Sequence, residues 1–202
     1  LDIAKLLHSE NANLVNEFDD HNRSIGLCIA AGGSVEILEF FISLGLNLFD
    51  TDANGWNILH YACWYEKKAM VEYILKKYPQ MLCSKAKEGL SVLLCAAFGG
   101  NVSTFKTIFE LMENSLNGNQ GINETGTTNI TSMIQATRVQ QILLHMSCLG
   151  GGLEMTKYFA ETYHNSLYEV DKSKGTQANH SEVIEYLVKM FPTILYEEDN
   201  SK

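Results

Sequence analysis

Lysine and arginine never run longer than two residues in this 202-residue sequence, and they number 15 against 24 aspartates and glutamates. The net charge of -9 and an isoelectric point near 5.1 disfavour attraction to nucleic acid or an anionic bilayer, and leave a basic protein partner permitted. No apolar span reaches the roughly 18 residues a membrane helix needs, and nothing at the start resembles a signal peptide, so direct membrane insertion is not expected and a cytoplasmic location is. Cys-x-x-Cys pairs are also missing. The five cysteines (28, 63, 83, 95, 148) are odd in number and sit mostly inside apolar runs, which points to reduced, buried thiols. His60 with Cys63 and His145 with Cys148 lack further ligands at metal-binding spacing. Neither a phosphate loop ending in Lys-Ser/Thr, nor Gly-x-Ser-x-Gly, nor His-Glu-x-x-His occurs. The sequence is therefore expected to be no enzyme and to hold no cofactor or metal.

What the sequence does contain is a period. SIGLCIAAGGSVEILEFF (24 to 41) returns as NILHYACWYEKKAMVEYI (57 to 74) after 33 residues, and as SVLLCAAFGGNVSTFKTI (91 to 108) after 34 more. A fourth copy, ILLHMSCLGGGLEMTKYF (142 to 159), follows 51 residues later, and a partial fifth lies at 179 to 199. Residues 1 to 19 read as the second half of another unit. Each complete copy predicts a short apolar helix, a glycine-containing turn and a longer amphipathic helix, as with Ala69, Met70, Tyr73 and Ile74 at helical spacing. A helix of about ten residues is marginal alone, and stacking like units supplies the neighbours it lacks. AGGS (31 to 34) and FGGN (98 to 101) fall between the two helices at the same place in each copy, so they read as tight turns instead of phosphate cradles. Glu36 and Glu154 likewise recur in the first turn of a second helix, where they face its positive end.

Gly55, Asn57, Ile58, Leu59, His60 and Ala62 resemble the ankyrin-repeat signature, a glycine followed after one residue by Thr-Pro-Leu-His and then an alanine. Leu144, His145, Gly151, Leu153, Glu154 and Lys157 repeat the likeness in the fourth copy. Proline is the departure: Ile25, Ile58, Val92 and Leu143 occupy its place, and only His60 and His145 keep the histidine, which Leu27 and Leu94 replace. The resemblance implies an all-α solenoid of helix-turn-helix units joined by short hairpins or extended loops. Read as one ankyrin-repeat domain over 1–202, it has a half unit at 1–19, units near 20–52, 53–86, 87–112 and 131–172, and a degenerate unit at 173–202. A Gly/Asn/Thr-rich insert near 113–130 is expected to be a mobile loop, and residues 131 to 140 to begin a lengthened first helix in the fourth unit.

The resemblance also implies a non-enzymatic protein-recognition module that presents a concave aromatic face and its hairpin tips to another protein. Residue by residue, this places the contact positions at Ala53, Asn54, Trp56, Trp64 and Tyr65, with Tyr61 beside them and Phe98 and Leu149 at positions equivalent to Tyr65 and its neighbour. On a helix, Leu59, Ala62 and Cys63 share one side and Tyr61, Trp64 and Tyr65 another, so one side docks and the other is aromatic and at least partly exposed. Asn57 is placed to cap its helix, and His60 to brace loop against helix without acting as a general base. The lysines 67, 68, 76, 77, 85 and 87, interrupted by Glu66 and Glu72, read as a solvated face. The chain is expected to be monomeric. Because it opens on Leu1 with half a unit, a regulatory or scaffolding segment of a larger enzyme or channel, making mainly intramolecular contacts, is the alternative.

Overall fold

A computed structural model describes residues 1–117, 137–150 and 152–162. The chain divides into two compact units, 1–96 and 97–202. In the first, helices α1 (Asp2–Glu10), α2 (Ile25–Gly32), α3 (Val35–Ser43), α4 (Ile58–Trp64) and α5 (Lys68–Lys77) alternate short and long after the opening helix. Strand pairing among the described residues is limited to the isolated bridges Phe18 to Ser24 and Lys85 to Ser91. Short 3-10 turns at Ala12–Asn16 and Pro79–Cys83 follow α1 and α5 at equivalent places in the repeat.

α4 has only seven residues, too few to hold helical form alone. Tertiary burial holds it: Ile58, Leu59, Ala62 and Cys63 are enclosed with Leu27 and Ala30 of α2 and Met70, Val71 and Ile74 of α5. Each large aliphatic side chain in that set contributes about 1.5 to 3 kcal/mol of transfer free energy. Helix α2 to α3 turns through Gly33 at φ +84°, a left-handed conformation that costs glycine nothing. Ser34 then caps α3, its hydroxyl accepting the Ile37 N–H at 3.3 Å.

The second unit begins inside α6 (Val92–Gly99) and continues with α7 (Val102–Asn117), α8 (Thr137–Gly150) and α9 (Leu153–Thr162). Phe105 and Phe159 meet edge to face at 5.0 Å within its core. Two glycines let backbones approach there: a Cβ on Gly150 would collide with the Phe98 carbonyl oxygen, and one on Gly152 would stand 2.7 Å from Gly100 Cα. The buried hydroxyls of Ser147 and Thr156 satisfy each other at 3.2 Å.

Helix α7 runs to Asn117, so residues 113 to 117, expected in the loop, are helical; a helix already anchored by buried Phe105 and Ile108 extends past the compositional change. The remainder of the insert, the degenerate unit at 173–202 and residues 131 to 136 lie outside the described residues. Helix α8 starts at Thr137 and is twice as long as α4, 14 residues against seven. His145 is thus far from a helix start, and it is exposed. Its chain neighbours are helical, so among the described residues no helix-start turn adjoins it for its ring to bridge, and the structural role its alignment with His60 implied is not seen there.

Candidate protein-binding face

The face is built on the turn that precedes α4. Asp52 N–H donates to the Trp56 carbonyl and Gly55 N–H to the Asp52 carbonyl, both at 3.0 Å, with Gly55 at φ +80°. One Asp52 carboxylate oxygen, Oδ1, accepts the N–H groups of Asn54 and Trp56 at 2.8 Å each. The other, Oδ2, accepts the Tyr61 hydroxyl at 3.0 Å. The aspartate therefore ties the hairpin to the helix that follows it. The first hairpin repeats the arrangement: Asp19 accepts the N–H groups of His21 and Arg23, and the Arg23 side chain binds its other oxygen at 2.6 Å, which with those backbone bonds lowers the Asp19 pKa to about 2.

Neighbouring hairpins are joined through their backbones. Ala53 N–H donates to the His21 carbonyl at 3.0 Å, and Lys87 N–H to the Asn54 carbonyl at 2.9 Å. The side chains of Ala53 and Asn54 remain exposed at the tip. Since these hydrogen bonds use backbone atoms only, the tip side chains can vary without disturbing the ladder.

Asn57 caps α4. Its side-chain oxygen accepts the N–H groups of Leu59 and His60 at 3.0 and 3.2 Å. His60 reaches back in turn, and its two contacts suit different tautomers: Nδ1 accepts the Asn57 N–H at 3.3 Å when the proton is on Nε2, and donates to Asn57 Oδ1 at 2.8 Å when it is on Nδ1. This is a capping box with histidine in the place of the usual glutamate or glutamine. Nε2 is fully enclosed without a well-aligned partner. Burial pushes the ring's pKa down, against the Leu90 backbone and the Asp52 charge, which favour the proton. A ring so committed is a brace. In the first unit, Ser24 and Leu27 occupy the same two places, and the Ser24 hydroxyl makes no capping bond.

Four aromatic rings converge above this frame. Trp56 and Trp64 lie 4.8 Å apart at 60°, Trp56 meets Tyr61 edge to face at 5.6 Å, and Tyr61 stacks on Tyr65 at 6.2 Å. Trp56 and Trp64 are half-buried and Tyr65 is 48% exposed. Tyr61 is only 7% exposed. Helical spacing groups it with the open residues, but its hydrogen bond to Asp52 draws it inward, and burial followed by that bond raises its pKa. It forms the floor of the cluster. Phe98, half-buried, and Leu149, 39% exposed, belong to the second unit.

A family description of ankyrin repeats, three copies, matches residues 1–83. Those residues are ankyrin repeats. No curated protein matches the chain. Ankyrin repeats are structural and binding modules, and the all-α ankyrin solenoid fold together with the aromatic cluster suits a protein-interaction surface. Among the described residues no three His, Cys, Asp or Glu side chains gather as a metal site, and no helix is long and apolar enough to cross a membrane.

Two residues of the ankyrin face escape a reading of the sequence. Asp52 lies in a stretch that reads only as punctuation, because its role depends on donors two, four and nine residues ahead. Glu66, directly after Tyr65, adopts φ +57° where the equivalent residues Gly33 and Gly100 have +84° and +88°. The aligned glycines were the available signal.

Proposed function

We propose that the chain is a non-enzymatic protein-recognition module whose contact surface is centred on Trp56, Trp64 and Tyr65, with the hairpin tip at Ala53 and Asn54 beside them. The observation that carries this reading is the contiguity of the rings: Trp56 and Trp64 are in contact, stay half-open, and rest on a Tyr61 anchored from below by Asp52. Large, rigid rings bury area at low entropic cost, and tryptophan and tyrosine dominate the energetic centres of protein interfaces. Core packing alone would enclose them, as it encloses Ile58 and Leu59 in the same helix. Phe98 and Leu149 extend the proposal to the second unit as contact positions in their own right.

Affinity capture with the wild-type chain and with a Trp56→Ala, Trp64→Ala double variant tests the reading. Proteins held by the wild type should be lost by the variant, with a melting temperature within a few degrees of the parent. Retention of the same proteins, or collapse of the variant's fold, would sink it.

A further inference from the structure

The turn between α4 and α5 departs from its counterparts in two ways, and both departures lie against the aromatic face. In the first and third repeats this turn is Gly33-Ser34 and Gly100-Asn101. The glycine takes the left-handed conformation, and the next side chain caps the second helix, Ser34 to Ile37 N–H at 3.3 Å and Asn101 to Thr104 N–H at 2.9 Å. In the second repeat it is Glu66-Lys67. Glu66 holds a positive φ that strains a residue with a side chain, and Lys67 makes no side-chain cap. Two stabilising devices are absent at the one turn that follows Trp64 and Tyr65. Strain kept at one site of a repeated motif points to a use for the side chain that causes it.

The surrounding charges define that use. The Glu66 side chain is exposed and makes no ion pair among the described residues. Lys68 faces Glu72 at 3.8 Å, Arg23 is engaged by Asp19, and Lys67 lays its alkyl chain along Gly33, where an added Cβ would meet Lys67 Cδ at 2.7 Å. Behind the rings, Asp52 is 8% exposed and takes N–H and O–H donors without an ion pair among the described residues. Its charge acts on both Tyr61 and His60. The faces of aromatic rings are themselves negative. Space is available as well: Gly32, aligned with Tyr65, is exposed, and a Cβ added there meets nothing within 4 Å.

We infer that the aromatic face selects a basic protein segment, placing an arginine or lysine of the partner on the Tyr65 and Trp64 rings with its charge against Glu66. The inference rests on the recognition reading above and adds its specificity. Cation-on-ring contact and a carboxylate at the rim reinforce each other, since both attract the same charge. Glu66 is then a residue kept for binding at the expense of the turn.

That exchange gives the test. A random dodecapeptide library displayed on phage is selected against the wild-type chain, and sequences that also bind a Trp64→Ala variant are discarded. Arginine and lysine should be enriched among the survivors. Glu66→Gly should weaken synthetic copies of those peptides roughly five-fold while raising the melting temperature by about 2 to 4 °C, opposite signs that a purely structural role cannot produce. Glu66→Gln, which leaves the backbone strain in place, should weaken binding without the gain in stability. Survivors that are neutral or acidic, or basic ones indifferent to Glu66, overturn the inference and leave the aromatic face standing. If no selected peptide depends on Trp64, both readings fall.

Discussion

The side-chain oxygen of Asn57 lies 2.8 Å from Nδ1 of His60 and at the same time accepts the N–H groups of Leu59 and His60. One turn of α4 is fastened by these two residues, and the helix above it carries the aromatic face. Asn57→Ala should lower stability by about 0.5 to 2 kcal/mol, measured from the urea midpoint at constant slope.

Acidification attacks the same fastening. Burial holds the folded-state pKa of His60 below the value of about 6.5 for a free histidine. The unfolded chain therefore takes up the proton first, and stability present at neutral pH is lost as the pH falls through about 6.5 toward the folded value. His60→Leu, the residue the first repeat uses at Leu27, should flatten that decline. Denaturation midpoints of both proteins at pH 7.5 and 5.5 check it; equal slopes in parent and variant would refute it.

Tyr61→Phe keeps the ring that stacks on Tyr65 but removes the donor to Asp52. One lone pair of a buried carboxylate is left unanswered, a loss of about 1 to 3 kcal/mol. Proteolysis should then start at the Asp52 hairpin, whose tie to α4 has been cut, and mass spectrometry of the first fragments locates the nick.

Gly150→Ala and Gly32→Ala should differ sharply. At Gly150 the new methyl collides with the Phe98 carbonyl, a backbone group that cannot rotate away, and a loss of about 3 kcal/mol or more follows. At Gly32 the methyl enters open space at the end of a helix, where alanine gains up to about 1 kcal/mol over glycine. Thermal melts of the two variants decide it.

Thiol labelling should separate the cysteines into two sets. Cys28 and Cys83 are exposed, while Cys63, Cys95 and Cys148 are buried, and burial pushes all three buried thiols up, Cys95 to about 12. A native chain treated with iodoacetamide should be modified at Cys28 and Cys83 first, with the other three protected until the fold opens.

The repeat, the helix starts and the left-handed glycines were legible because each is a local demand that recurs. Asn57 declares a cap by its position before an apolar run, and Gly55 declares a turn by its spacing from Asn57. The aromatic cluster was legible in its members but not in its depth. Tyr61 and Trp64 occupy one side of a helix, and only a carboxylate nine residues before Tyr61 decides that the tyrosine lies underneath. His145 shows the converse. Its motif matches that of His60, but it lies eight residues into its helix and not at the start, so the same residue loses the cap groups it would have bridged. The far end of α7 escaped for a related reason: composition changes near residue 113, whereas the backbone hydrogen bonding of a helix already formed continues to Asn117.

The chain has two tryptophans, Trp56 and Trp64, and they are in ring contact with each other on the candidate face. Emission excited at 295 nm, beyond tyrosine absorption, therefore comes from this one surface. The molecule carries its own optical reporter, and any ligand that settles there announces itself in the colour and intensity of that light, with no label attached and no background from the rest of the chain.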